Sequence, residues 1–139
     1  MIYCVEDDAS IREIEIYTLH STGFEAEGFS DGDALFNALK ERQPELIILD
    51  VMLPGEDGIS ILKRLRASRA TAAIPVIMAT AKGTEYDKIQ ALDIGADDYL
   101  VKPFGMMEMV SRVRAVLRRV APPKESNVLK AGKIVLNLD

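Results

Sequence analysis

One cysteine, one histidine, no apolar run long enough to cross a bilayer and no excess of basic charge set the first limits on this 139-residue chain. Cys4 cannot close an internal disulfide. It sits in an apolar stretch, which suits a packing role in a reducing compartment. His20, with no second His or Cys near it, lacks the company a metal site needs, and it falls on the polar side of the first predicted helix. No segment approaches the roughly 18 apolar residues of a membrane span, and the start shows no basic-then-apolar leader pattern. A cytoplasmic protein without membrane contact is expected. Seventeen Lys and Arg against 22 Asp and Glu give a net charge of −5, so the overall basic balance of a nucleic-acid-binding surface is missing. If DNA is a partner, another part of the protein touches it. Internal repeats and low-complexity segments are absent.

What is present is enough apolar material for a core, 48% of residues, in a length that fits one ordinary domain and a short remainder. The runs "MIYCV", "FEAEGF", "ELIILD", "PVIMAT" and "DDYLV" predict five strands separated by helical patterns. Four of the five are too uniformly apolar to have a wet face. Strands covered on both faces by helices belong to a parallel sheet, so the class is α/β. Ser10 with Glu13 can form a capping box before "IREIEIYTL", Asp57 can cap "GISILKRLR", and Gly95 is placed to end the helix containing "KIQALDI". In "GMMEMVSRVRAVLRRV", Met106, Met109, Val110, Val113, Val116, Leu117 and Val120 follow helical spacing, while Glu108, Arg112 and Arg119 share another face. After Val120 the composition changes. The stretch "APPKESN" reads as a linker, 121–127, and "VLKAGKIVLNLD", 128–139, as the opening strands of a further sheet that cannot fold alone.

The chemistry gathers at strand ends. Strand one closes in "VEDD" and strand three in "LD", which brings Glu6, Asp7 and Asp50 to the carboxyl edge of the sheet, where open α/β sheets bind ligands. Asp8 is assigned to the following helix start. Carboxylates that crowd repel one another unless a cation sits among them, and a hard oxygen set suits Mg2+. Taken singly, each acid could equally be solvated or cap a helix. Strand four adds the Thr80 hydroxyl, and strand five is followed by Lys102 before Pro103, at a bond that can be cis. A carboxylate nucleophile, a metal, a hydroxyl and an ammonium group together describe a site for an aspartyl phosphate.

At this point the chain resembles a response-regulator receiver domain over residues 1–120, on "VEDD", "LDVMLPGEDG", "ATA" and "DDYLVKPF" in that order. The resemblance implies a flavodoxin-like doubly wound parallel sheet of five βα units, strand order 2-1-3-4-5. It implies that Asp50 accepts phosphate from a sensor histidine kinase and that Glu6, Asp7, Asp50 and the backbone carbonyl of Met52 bind Mg2+. Thr80 and Lys102 would bind the phosphoryl group, with Tyr99 as the aromatic switch partner of Thr80. Such a domain is regulatory, not an enzyme beyond its own phosphoryl transfer and dephosphorylation. Met52 and Lys82 flank the site and are candidates to control water access.

The pattern "EMVSRVRAVLRR" is similar to the OmpR and PhoB subfamily of transcription factors. That likeness implies a homodimer on phosphorylation through the fourth helix, fifth strand and fifth helix, with Lys88, Asp93, Asp97, Asp98, Glu108, Arg112, Arg114 and Arg119 as candidate intersubunit partners. An exposed ion pair is worth only about 0 to 1 kcal/mol, so each could also be plain solvated surface. The segment 128–139 resembles the first strands of that subfamily's winged-helix DNA-binding domain. Gly105 departs from the pattern by standing where the fifth helix commonly has a capping Ser or Asp, and Ile94 occupies an often polar position. A haloacid-dehalogenase-type hydrolase would need a second Asp where Met52 stands. A flavodoxin-like redox domain would need a hydroxyl and Gly loop where "EDDAS" would repel phosphate. A stand-alone receiver that acts by binding another protein is the third rival.

Overall fold

The computed structural model describes residues 1–81 and 85–120, the side chains of 85–87 excepted. Ten elements alternate: β1 (Ile2–Val5), α1 (Ala9–Ser21), β2 (Ala26–Phe29), α2 (Gly32–Leu39), β3 (Leu46–Asp50), α3 (Gly58–Ala67), β4 (Val76–Thr80), α4 (Glu85–Ile94), β5 (Asp98–Val101) and α5 (Met106–Val120). All pairings are parallel and the order is β2-β1-β3-β4-β5. The expected doubly wound sheet is therefore observed. The linker and hairpin expected over 121–139 lie outside the described residues, as does Lys82.

Side-chain alternation along the strands builds two cores. Ile2, Cys4, Leu46, Ile48, Ile77, Ala79 and Leu100 face α1 and α5, meeting Leu19, Met109, Val110, Val113 and Val116. Tyr3, Val5, Ile47, Leu49, Val76, Met78 and Tyr99 face the other way, onto Leu35 and Leu39 of α2, Ile61, Leu62 and Leu65 of α3 and Ala91 of α4. β2, with the exposed Glu27 in its run, is an edge strand with no fully buried position. The α5 stripe holds except at its last member. Val120 is 49% exposed, beyond the reach of the sheet.

The caps mostly fall where the residues place them. Asp57 accepts from Ser60 N at 2.9 Å, and Gly95, at φ +126°, ends α4 in a conformation that L side chains rarely adopt. The capping box at Ser10 does not form. Asp8 is the N-cap instead, its Oδ1 accepting from Ser10 N at 2.9 Å and Ile11 N at 3.1 Å, because α1 already begins at Ala9. Asp8 thus serves the helix start, as expected.

Arg66 joins elements that its sequence neighbours do not announce. Its guanidinium donates to the carbonyls of Gly95, Ala72 and Ile74 and to Asp97 Oδ2. Four hydrogen-bond partners therefore tie α3 to the turn entering β4 and to the one entering β5.

Candidate functional site

β1, β3 and β5 deliver three side chains to one edge of the sheet. Continuing the alternation of Cys4, Ile48 and Leu100, residues Glu6, Asp50 and Lys102 fall on the α1/α5 face. The Lys102 ammonium donates to Glu6 Oε1 at 2.6 Å and to Asp50 Oδ2 at 3.0 Å. Asp50 Oδ1 accepts from Met52 N at 3.1 Å, and Glu6 Oε2 from Asp8 N at 3.1 Å. Both carboxylates are buried, whereas Asp7 is exposed at the rim. The three acids each offer an oxygen within 4.8 Å of the others. They line a cleft of about 280 Å³ with Asp8, Ile11, Met52, Ala81 and Lys102.

The loop after β3 explains how Asp50 is held. Gly58 N donates to the Val51 carbonyl at 2.8 Å, so the start of α3 lies against the end of β3. A Cβ on Gly58 would stand 2.2 Å from the Asp50 carbonyl oxygen and 2.7 Å from Val51 Cα. Only glycine permits that approach. The Pro and Gly content of "LPGEDG" thus supports the position of Asp50 through backbone packing.

Charge crowding appears in the protonation equilibria. Burial pushes the Glu6 carboxyl up, against the hydrogen bonds from Lys102 and Asp8 N and with help from the Asp50 charge. Burial alone would lower Lys102, but its bonds to Glu6 and Asp50 more than reverse this, and its pKa is raised. The Glu6 shift reflects burial first, and the Lys102 shift the two carboxylates around it. The cluster holds more negative charge than one ammonium group neutralises, which is the donor set a divalent cation fits.

Thr80 and Tyr99 occupy the opposite face. The register pairs Met78 with Tyr99 and Thr80 with Val101, and Met78 and Tyr99 belong to the α2/α3/α4 core with Val101 packed against it. Thr80 is fully buried and Tyr99 is 8% exposed. Neither lines the cleft. Thr80 is tied to the site through the backbone, its carbonyl accepting from Lys102 N at 2.8 Å. The Lys102-Pro103 bond is cis.

Of the charges on the expected dimer face, several pair within the chain. Asp97 Oδ2 accepts from Val76 N at 2.8 Å and Arg66 Nη2 at 3.2 Å. Arg112 lies 3.2 Å from Asp98 and 3.8 Å from Glu108, and Arg119 donates to the Asp97 carbonyl. Lys88, Asp93 and Arg114 are exposed. His20 is exposed, with Nε2 3.3 Å from the Ala26 carbonyl. Cys4 is buried, and burial followed by the Glu15 charge holds its thiol well above the ordinary range, as a packing role requires.

One residue of the site's surroundings escaped the sequence reading. Glu15 on α1 is 1% exposed and its Oε1 has no hydrogen-bond partner among the described residues. Its carboxyl is pushed up to about 8, by burial first and then by the charges of Glu6 and Asp50 against that of Lys102. The spacing of Ile11, Glu15 and Leu19 along one helical stripe was the available signal.

A sequence profile of the response regulator receiver domain matches residues 2–114. The chain belongs to that family. Receiver domains of this kind include solved relatives such as that of Francisella response regulator 1452. That structure is 31% identical, has a TM-score of 0.80, and covers 85% of this chain and 96% of that one. Among curated proteins, the phosphate regulon transcriptional regulatory protein PhoB of Shigella flexneri and that of Escherichia coli K12 are each 44% identical over 136 residues, or 98% of this chain. Over that span the receiver is similar in sequence to these two PhoB proteins. It spans 59% of the length of those relatives.

Proposed function

We propose that this receiver is phosphorylated on Asp50 by a sensor histidine kinase in a Mg2+-dependent reaction. Phosphorylation promotes dimerisation and so controls a DNA-binding domain. The observation that carries the reading is the convergence of Glu6, Asp7 and Asp50 within 4.8 Å, with Lys102 bonded to two of them.

Asp50 Oδ attacks phosphorus and the donor's leaving group departs in line, so one P–O bond forms as the bond to the donor breaks. A divalent cation held by Glu6, Asp7, Asp50 and the Met52 carbonyl would neutralise charge on the transferring oxygens. Lys102 supplies a second positive charge to the same oxygens, moving from Asp50 to the phosphoryl group as the carboxylate becomes an acyl phosphate. Thr80, which the fold holds on the opposite face, turns its hydroxyl towards the cleft to take a phosphoryl oxygen, and Tyr99, on the same face as Thr80, repacks in response. A coupling of about 1 to 3 kcal/mol suffices to shift a pre-existing equilibrium. The output face combines α4, β5 and α5. There Lys88, Asp93, Asp97, Asp98, Glu108, Arg112, Arg114 and Arg119 pair with residues of a second copy around a two-fold axis.

Residues 1–120 are the receiver, 121–127 a linker and 128–139 the first residues of a winged-helix DNA-binding domain, all within a cytoplasmic regulator. The domain catalyses nothing beyond its own phosphorylation and dephosphorylation.

Mass spectrometry after incubation with acetyl phosphate and Mg2+ tests the acceptor. The wild-type chain gains one phosphoryl group and Asp50→Asn does not. Equal labelling of the two would remove Asp50 from the reaction.

A further inference from the structure

A single residue holds both ends of the turn that carries Glu6 and Asp7. The backbone N–H of Arg12 donates to the Asp8 carbonyl at 2.9 Å, and its guanidinium Nη1 donates to the Glu6 carbonyl at 2.6 Å. Asp7 lies between those two carbonyls. The Glu6 carboxylate, in turn, accepts from Asp8 N, so the turn is tied to the helix and to itself. Room for the arginine comes from another element. A Cβ on Gly28 of β2 would stand 2.8 Å from both Cγ and Cδ of Arg12 and 2.6 Å from Ile16 Cδ1. The arginine stem therefore crosses β2 through space that only glycine leaves open.

We propose that Arg12, seated over Gly28, is a positioning residue that preorganises Glu6 and Asp7 for a divalent cation. The inference rests on reading the acidic cluster as a metal site. Two effects of the guanidinium oppose each other. Its charge repels an incoming cation, an effect weakened by solvent at the rim. Its hydrogen bond removes freedom from the turn that the ligands would otherwise lose on binding, and the partners that orient metal ligands typically change affinity by about 10- to 100-fold. Positioning dominates, so removing the guanidinium weakens metal binding although it makes the site more negative.

The test is calorimetric titration of Mg2+ into the 139-residue chain and its variants, with thermal melting in the absence of metal as the control for folding. Arg12→Met keeps most of the stem and drops the donor. It raises the Mg2+ dissociation constant roughly tenfold. Arg12→Lys, with the charge and one donor, recovers part of the loss, and Gly28→Ala, which occupies the space of the stem, shifts the constant in the same direction as Arg12→Met. If Arg12→Met does not fold, Arg12→Lys and Gly28→Ala carry the comparison. Binding by Arg12→Met as tight as wild type, or tighter, overturns the proposal, and so does a lysine variant no better than methionine. A wild-type chain that takes up no Mg2+ overturns the metal-site reading itself, and this inference with it.

Discussion

Lys102 Nζ donates to Glu6 Oε1 at 2.6 Å, a contact between residues 96 positions apart that joins the end of β5 to the end of β1. The same ammonium reaches Asp50. Lys102 therefore bonds two of the carboxylates that the proposed cation would share.

Lys102→Met should expose this competition. Without the ammonium group, Glu6 and Asp50 stay buried with their mutual repulsion, and the chain loses about 2 to 3 kcal/mol of stability near neutral pH. That is below the roughly 3 to 5 kcal/mol for breaking a fully buried pair, because the cleft is open and carboxylates can take up protons. Mg2+ should restore more stability to the variant than it adds to wild type. Urea unfolding with and without Mg2+ checks both statements, and an unchanged midpoint in metal-free buffer would contradict the first.

Glu15 makes stability depend on pH in a defined direction. Its carboxyl titrates at about 8 in the folded chain against an ordinary value of 4.5. Below that ordinary value both states hold the proton. As pH rises towards about 8, the folded chain retains a proton that the unfolded chain has released, so the contribution of Glu15 to stability falls across this window and levels off above it. By pH 7 the cumulative loss amounts to about 3 kcal/mol. Glu15→Gln keeps a neutral side chain of the same size and removes this slope. The difference between wild-type and variant stabilities, measured by denaturant unfolding from pH 5 to pH 8, should grow with pH; parallel curves would place the charge elsewhere.

Gly58→Ala tests the support of Asp50. The added Cβ meets backbone, the Asp50 carbonyl oxygen at 2.2 Å and Val51 Cα at 2.7 Å, so no side chain can move aside. Overpacking of this kind costs about 1 to 3 kcal/mol. Because the displaced atoms belong to the proposed acceptor, acetyl-phosphate labelling should slow as well as stability fall. A destabilised variant labelled at the wild-type rate would show that the acceptor tolerates the shift.

Thr80→Val separates labelling from its consequence. Valine matches the shape of threonine in a fully buried position but lacks the hydroxyl. Asp50 should still be labelled, more slowly, while phosphorylation-dependent self-association is reduced severalfold in analytical ultracentrifugation. Dimerisation as complete as in wild type would remove Thr80 from the coupling.

Local pattern carried much of this fold. The five strands, the caps at Asp57 and Gly95 and the apolar stripe of α5 follow from periodicity and turn chemistry within a few residues, which a linear reading can detect. So does the arrival of Glu6, Asp7, Asp50 and Lys102 at strand ends. Other details came only with the folded structure. Asp97 looks like a surface charge, yet its carboxylate meets Arg66 and Val76 N. Ser10 looks like a cap, yet α1 starts at Ala9 and Asp8 takes the role. Glu15 interrupts an apolar stripe, and only the packing of α1 on the sheet turns that interruption into a buried acid.

The sequence alone determined which chemical groups stand at the ends of the strands, because strand length and side-chain alternation are local properties of the chain. Tertiary structure alone decided which carboxylates Lys102 holds, which face Thr80 shares with Tyr99, and which acids lose their water. Those outcomes depend on contacts between residues far apart in sequence, whose energies exist only once the sheet and helices have closed around them.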